Sequence, residues 1–411
     1  MANERLGTIG MIENMTGTSG GDNVLAVAAP SDQDADPSVR PVEVHCHGLP
    51  GVDFSEFARL DLENVERECV REGVLSIPTL YLHRDRLADL ERFMRRYDGM
   101  RRAGRIPHVV GIALEGPLLA SHGGTPAATV WAPTRTEWER LAKLGDLGLQ
   151  YVVLSPDAFT PASDLHGQLH SEHPGFEWIV PTLLGHGVRP ALGHFTRDDP
   201  LRSARQTADI VDIAWDSEWN GRGARVVTDH LFNDMPLTIR HAFRTSRARE
   251  KRQATLAAYD LPGWRLDTMD QIAGPVPATI MREAASGRIA ACINFDGEHV
   301  DLAIATRAVQ LIGTDHAMVM TDRCDSARLG GQELARGREN SLWYQQDGIV
   351  AAGSQPLAQQ MKNAVGHGIA GAPLRDLVAG TAHRAFGIAP GLDGSAAGAA
   401  GSAHQVRTPG E

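Results

Sequence analysis

Cysteine is scarce in this chain: four in 411 residues, none of them in a CxxC pair. Cys46, Cys69, Cys292 and Cys324 lie too far apart for a structural zinc knuckle or a disulfide framework, which fits a reducing cytoplasm. Basic charge is also short, with 40 Lys and Arg against 51 Asp and Glu and a formal net charge of -11. A nucleic-acid backbone needs a basic surface, so nucleic acid is not the expected partner. No apolar run approaches the roughly 18 to 20 residues of a membrane helix. The opening MANERLGTIGMIENM lacks a basic stretch followed by an apolar one, so no signal peptide is expected. Absent too are a GxSxG elbow, a phosphate-binding loop, a GxGxxG after a strand and an HExxH helix. These absences leave the expectation of a soluble cytoplasmic protein that acts on a small molecule or a peptide.

What is present is a rhythm. Apolar runs at 42–44, 73–82, 108–116, 150–157, 188–195, 208–214, 224–232, 289–297 and 316–322 alternate with amphipathic stretches such as 84–102 and 136–145. Apolar strands alternating with helices predict a parallel sheet wrapped by helices. About eight such units in roughly 350 residues predict an α/β protein of the (β/α)8 TIM-barrel kind. No short-period repeat appears, which excludes solenoids and propellers. Residues 1–40, rich in Gly, Ser, Asp and Pro, predict a loosely ordered arm, and 391–411 a disordered tail. The barrel is expected over 41–390.

In such a barrel the reactive groups sit where strands end, because the βα loops meet at that rim. His45 and His47 close the first run as VEVHCHG. A spacing of two puts both imidazoles on one strand face and Cys46 on the other. Glu115 closes GIALEGP, His194 closes VRPALGH, His230 follows RVVTD, and Asp322 closes HAMVMTD. Each has a plain alternative: Glu115 in a salt bridge, His194 capping a helix, Asp322 as an N-cap. Six nitrogen or oxygen donors at strand ends point instead to one or two divalent ions, zinc being the best match. Asp322 is then the natural general base, and His299, in NFDGEHVD, can steady an oxyanion or orient substrate.

Taken in order, these segments resemble those of N-acetylglucosamine-6-phosphate deacetylases, within the amidohydrolase superfamily. The resemblance rests on HCHGLPGVDF (45–54), ALEGPLL (113–119), VVLSPD (152–157), LGHFT (192–196), DHLFNDMP (229–236), DGEHVD (296–301) and MTD (320–322). Two closing helices at 348–365 and 382–388 extend it over roughly 42–390. It implies a metal-dependent hydrolase of C–N bonds, with ligands His45, His47, Glu115, His194 and His230. It makes Asp322 both ligand and base and puts His299 on the substrate. Relatives are often dimers, so a homodimer is possible.

The departures bear on substrate. Where the family has HLFNAM, this chain has Asn233 followed by Asp234. Asn233 keeps the sugar-phosphate contact that the resemblance implies, whereas Asp234 sets a carboxylate beside a dianion, unfavourable by ~1 kcal/mol or more. SHGGTP replaces the expected GAHP-like turn, leaving His122 or nothing for the role of its histidine. The flanking β-sandwich of the family is expected to be reduced or absent. An insert at about 237–272 carries Arg244, Arg247, Arg249, Lys251 and Arg252 on a stretch that reads as a helix. It is either a solvated basic face or a clamp, led by Arg247 and Arg249, for an extended or acidic substrate, with Tyr259 and Trp264 adding apolar contact. In these respects the chain resembles the amidohydrolases of bottromycin-type ribosomal peptide biosynthesis. The expected activity is therefore amide hydrolysis on a modified peptide, with removal of a follower peptide. Amino-sugar deacetylation is the alternative, and a non-catalytic binding role is disfavoured by the retained Asp322.

Overall fold

A computed structural model describes residues 39–389. The tail at 391–411 and all but the last two residues of the arm at 1–40 lie outside them. Eight strands form one parallel sheet in sequence order. They are β1 (Val42–Cys46), β2 (Leu75–Tyr81), β3 (Ile112–Glu115), β4 (Leu149–Leu154), β5 (Arg189–Leu192), β6 (Val227–His230), β7 (Ala290–Asn294) and β8 (Ala317–Met320). The sheet closes on itself just past β8: the His47 N–H donates to Arg323 O at 2.8 Å and the Asp322 N–H to His45 O at 2.9 Å. This is the expected (β/α)8 barrel. Strands packed on both faces need continuous apolar sequence, and β1, β2, β3, β5, β6, β7 and β8 are buried along their whole length.

The helices α1 (Leu62–Glu72), α2 (Leu87–Arg102), α3 (Arg135–Lys143), α4 (Phe176–Gly185) and α5 (Pro200–Asp216) follow the first five strands. Their starts are written in the sequence. Asp61 caps α1 by accepting from the Glu63 and Asn64 N–H groups, Thr134 and Glu137 form a capping box on α3, and Asp199 caps α5 ahead of Pro200. The apolar run at 208–214, expected as a strand, is the last part of α5. Its buried residues Ile210, Val211 and Ala214 recur at helical spacing. Past β8 a further helix runs over Leu357–Gly366, and ahead of it Ser354 Oγ donates to Ser341 O at 2.6 Å.

Between β6 and its barrel helix α7 (Pro275–Ala285) lies the expected insert, carrying α6 (Ser246–Tyr259). Helix α6 buries no residue, so its basic face is solvated. Trp264 is fully buried and donates to Tyr259 O at 2.8 Å, which makes it the insert's own anchor. Among the described residues there is no β-sandwich. The remaining β-structure is a short hairpin at 48–53 and two small antiparallel sheets after β8.

The closing seam carries a buried ionic pin. Glu43 on β1 and Arg323 past β8 are both buried, with Arg323 Nη2 3.5 Å from Glu43 Oε2. Arg323 also pairs with Glu72 at the end of α1, and Thr321 donates to Glu43 Oε1. Burial raises the Glu43 carboxyl despite the guanidinium beside it. Deleting one partner strands the other in a dry seam. Arg323→Met is therefore expected to lower stability by about 3–5 kcal/mol in urea unfolding; a loss below about 1 kcal/mol would show that the pin does not hold the seam.

Candidate metal centre

Glu115, at the end of β3, is the hub of the site. Its Oε2 lies 3.1 Å from His45 Nε2 and 2.9 Å from His47 Nε2. Its Oε1 faces the other way, 3.0 Å from His194 Nε2, and accepts from Thr125 Oγ1. Two groups of donors result, each with ligand atoms within 4.8 Å of one another: Glu115, His194, Asp229 and His230, and His45, His47 and Asp322. All seven side chains are buried. The six ligands expected from the sequence thus converge, the two imidazoles of HCHG turning to one carboxylate as their spacing requires.

Several of these atoms lack a partner. His194 Nδ1 and Nε2, His230 Nδ1 and both Asp229 carboxylate oxygens are buried without a hydrogen bond of proper geometry. Buried donors and acceptors are normally satisfied, so such a cluster calls for a missing group. Ligand atoms about 2.0–2.1 Å from a tetrahedral ion stand about 3.3 Å apart. The separations here run from 2.9 Å between His47 and Glu115 to 3.9 Å between His45 and Asp322, on either side of that edge. Imidazole and carboxylate suit a zinc-class divalent ion, and these residues fit one.

The electrostatics agree. Burial alone would push the Glu115 carboxyl up, but His194 and His45 hold it well below the carboxylate range. Burial alone would depress the histidines, yet Asp229 raises His45, Asp322 and Glu115 raise His47 to about 10, and Asp229 and Glu115 hold His194 well up.

Backbone conformation is part of the construction. His194 at φ 56° and Asp322 at φ 50° both occupy the left-handed region that such residues seldom adopt. Their carbonyls are held: Ser155 Oγ donates to His194 O at 2.6 Å and the Gly353 N–H to Asp322 O at 2.5 Å.

A cavity of about 260 Å³ opens on Glu115, His230 and Asp322. His299 reaches it with Nε2 3.3 Å from Asp322 Oδ2, while its Nδ1 lies 2.6 Å from Asp296 Oδ2. Burial would lower His299, but the Asp296 carboxylate outweighs it and raises the imidazole. Asn233 and Asp234 line the cavity as expected, Asn233 donating to Asn294 Oδ1 at 3.2 Å. The Asp234 carboxylate is 3.5 Å from His194 Nδ1. His122 does not line the cavity; its backbone N–H donates to Asp164. Arg247 and Arg249 are exposed on α6 and do not line it either. The cations that do are Arg244, from the same insert, and Arg197. Arg244 donates to the carbonyls of Glu298 at 2.9 Å and His299 at 3.4 Å, and loss of hydration pulls it below the usual arginine range. Among the described residues no carboxylate lies within ion-pair distance of Arg244.

Sequence reasoning missed Asp229, Asp296, Thr125, Arg197, His241 and Tyr344. Only the first two carried a signal: Asp229 adjoins a strand-end histidine, and Asp296 stands three residues before His299 in a turn-forming stretch. Strict alternation argues against Asp229, because neighbours on a strand face opposite sides.

No protein-family model matches the chain, and no curated protein does. Solved structures do. N-acetyl-D-glucosamine-6-phosphate deacetylase from Mycobacterium smegmatis, a mutant in complex with N-acetyl-D-glucosamine-6-phosphate, aligns with a TM-score of 0.57 and 20% identity over 86% of this chain and 79% of that one. N-acetylglucosamine-6-phosphate deacetylase from Pasteurella multocida gives 0.58 and 17% over 85% and 76%. That from Thermotoga maritima gives 0.58 and 12% over 85% and 79%. The likeness establishes the fold.

An imidazole must lose its proton to bind an ion. Because His45, His47 and His194 are raised, zinc binding at pH 7 is expected to release about one proton or more per ion. Affinity should climb as pH rises towards the value of about 10 at His47. Calorimetry in buffers of different ionisation heat measures this; binding without proton release would contradict the charge assignment.

Proposed function

We propose that the chain is a metal-dependent hydrolase that cleaves an amide C–N bond of an N-acylated amino sugar bearing an anionic group. The observation that carries this is one cavity onto which Glu115 and His230 of the first donor group, Asp322 of the second, His299 and Arg244 all open. When bound, a zinc-class ion supplies Lewis-acid polarisation and an acidified water. Asp322, with Oδ1 towards His47 and Oδ2 towards His299, takes the proton of the attacking water and hands it to the departing nitrogen. His299, backed by Asp296, donates a hydrogen bond to the oxygen on which charge develops. Arg244, without a carboxylate partner, holds the substrate's anion, and Arg197 at the rim adds charge. The deacetylases with the same fold support the amino-sugar class.

One observation favours a larger substrate, a modified peptide. A groove of about 350 Å³ lined by Met235, Pro236, Leu237, Ile239 and Pro275 shares Arg197 and His241 with the cavity. An amino-sugar phosphate has no use for such an apolar extension. The two readings separate in one assay: hydrolysis of N-acetylglucosamine 6-phosphate by zinc-loaded protein, with and without chelator. Chelator-sensitive turnover supports the deacetylase reading, and its absence from metal-bearing protein removes that reading.

With whichever substrate turns over, Asp322→Asn is expected to cut kcat by about 10²–10⁴-fold while the Glu115 group keeps its ion. Arg244→Met should raise KM about tenfold or more with kcat much less affected. Full activity of the first variant sinks the proposed base, and an unchanged KM in the second sinks the anion contact.

A further inference from the structure

Asp229 is absent from the ligands that the sequence pointed to and takes no step in the proposed chemistry, yet it is the most buried carboxylate of the centre, with no exposed side-chain surface. Its Oδ2 lies 3.0 Å from His194 Nε2 and 3.4 Å from His230 Nε2, and its Oδ1 is 3.3 Å from His45 Nδ1. Neither oxygen makes a proper hydrogen bond. A carboxylate in that position is costly unless a cation neutralises it.

A backbone irregularity explains how Asp229 and its neighbour His230 both face inward. Between β6 and β7, Val227 pairs with Ala290 and His230 with Cys292, so three steps on one strand match two on the other. The extra residue is a bulge, which re-aims side chains at strand ends. On the other side of β6, the end of β5 makes room. A Cβ on Gly193 would stand 2.5 Å from Asp229 Cβ, so only glycine admits the carboxylate there.

We propose that Asp229 is a direct metal ligand, completing a four-residue ion site with Glu115, His194 and His230 beside a second ion at His45, His47 and Asp322. Glu115 gives one oxygen to each site. The proposal rests on the metal-dependent reading, but its test counts ions and does not require turnover. The full chain is loaded with Zn²⁺, freed of excess and analysed for metal, alongside Asp229→Asn. About two ions per chain are expected in the parent and one or none in the variant. One ion in the parent, or two of unchanged affinity in the variant, overturns the proposal. Thermal unfolding of both metal-free proteins checks that the variant folds. If it does not, a crystal structure of the Zn²⁺-loaded parent decides: an ion within about 2.2 Å of an Asp229 oxygen supports ligation, and ions bound away from Asp229 refute it. Correct metal counts without amide hydrolysis would leave the proposal standing and remove the function.

Discussion

The centre is organised around one buried negative charge. Glu115 sits at the end of β3 inside a barrel whose walls are apolar, and it is 3% exposed. A carboxylate there is tolerable only because His45 and His47 approach one oxygen while His194 and Thr125 approach the other. Every other feature of the centre answers to that arrangement. Two further carboxylates, Asp229 and Asp322, crowd the imidazoles of His45, His47 and His194 and raise them against the effect of burial. A divalent cation held by these residues would relieve the same charge without protons.

The barrel supplies the rigidity this needs. Its closing hydrogen bonds, from the Asp322 N–H to His45 O and from the His47 N–H to Arg323 O, join the residues of the centre themselves. Closing the sheet and setting the candidate ligands therefore depend on the same contacts. The positive φ at His194, Asp234 and Asp322 is held by hydrogen bonds from neighbouring strands and loops. Strain at these points is stored against the packed barrel, where functional sites commonly keep it.

Above the rim, the insert and the sheet after β8 shape what reaches the centre. Gln345 Nε2 donates to Gly124 O at 2.6 Å, tying the roof to the loop after β3. Asn340 bridges Tyr344 Oη, at 2.9 Å, and Arg244 O, at 3.1 Å. On the proposed reading these contacts fix Arg244 over the cavity, while the more conspicuous arginines of α6 remain in water. No helix among the described residues is long and apolar enough to cross a membrane.

The sequence by itself determined the strand–helix alternation and the donors at strand ends, because both depend on periods of two and 3.6 that sequence displays. From these alone His45, His47, Glu115, His194, His230 and Asp322 could be assembled. What escaped it depends on register and distance. Asp229 enters the centre through a bulge between strands paired far apart in the chain. Whether Arg244 or Arg247 meets the cavity depends on where the insert folds back, with Trp264 as its anchor. The run at 208–214 reads as a strand until α5 is seen to bury one of its faces. Tertiary structure decided these matters because bulges, loop returns and buried faces are set by contacts between segments, which no local pattern records.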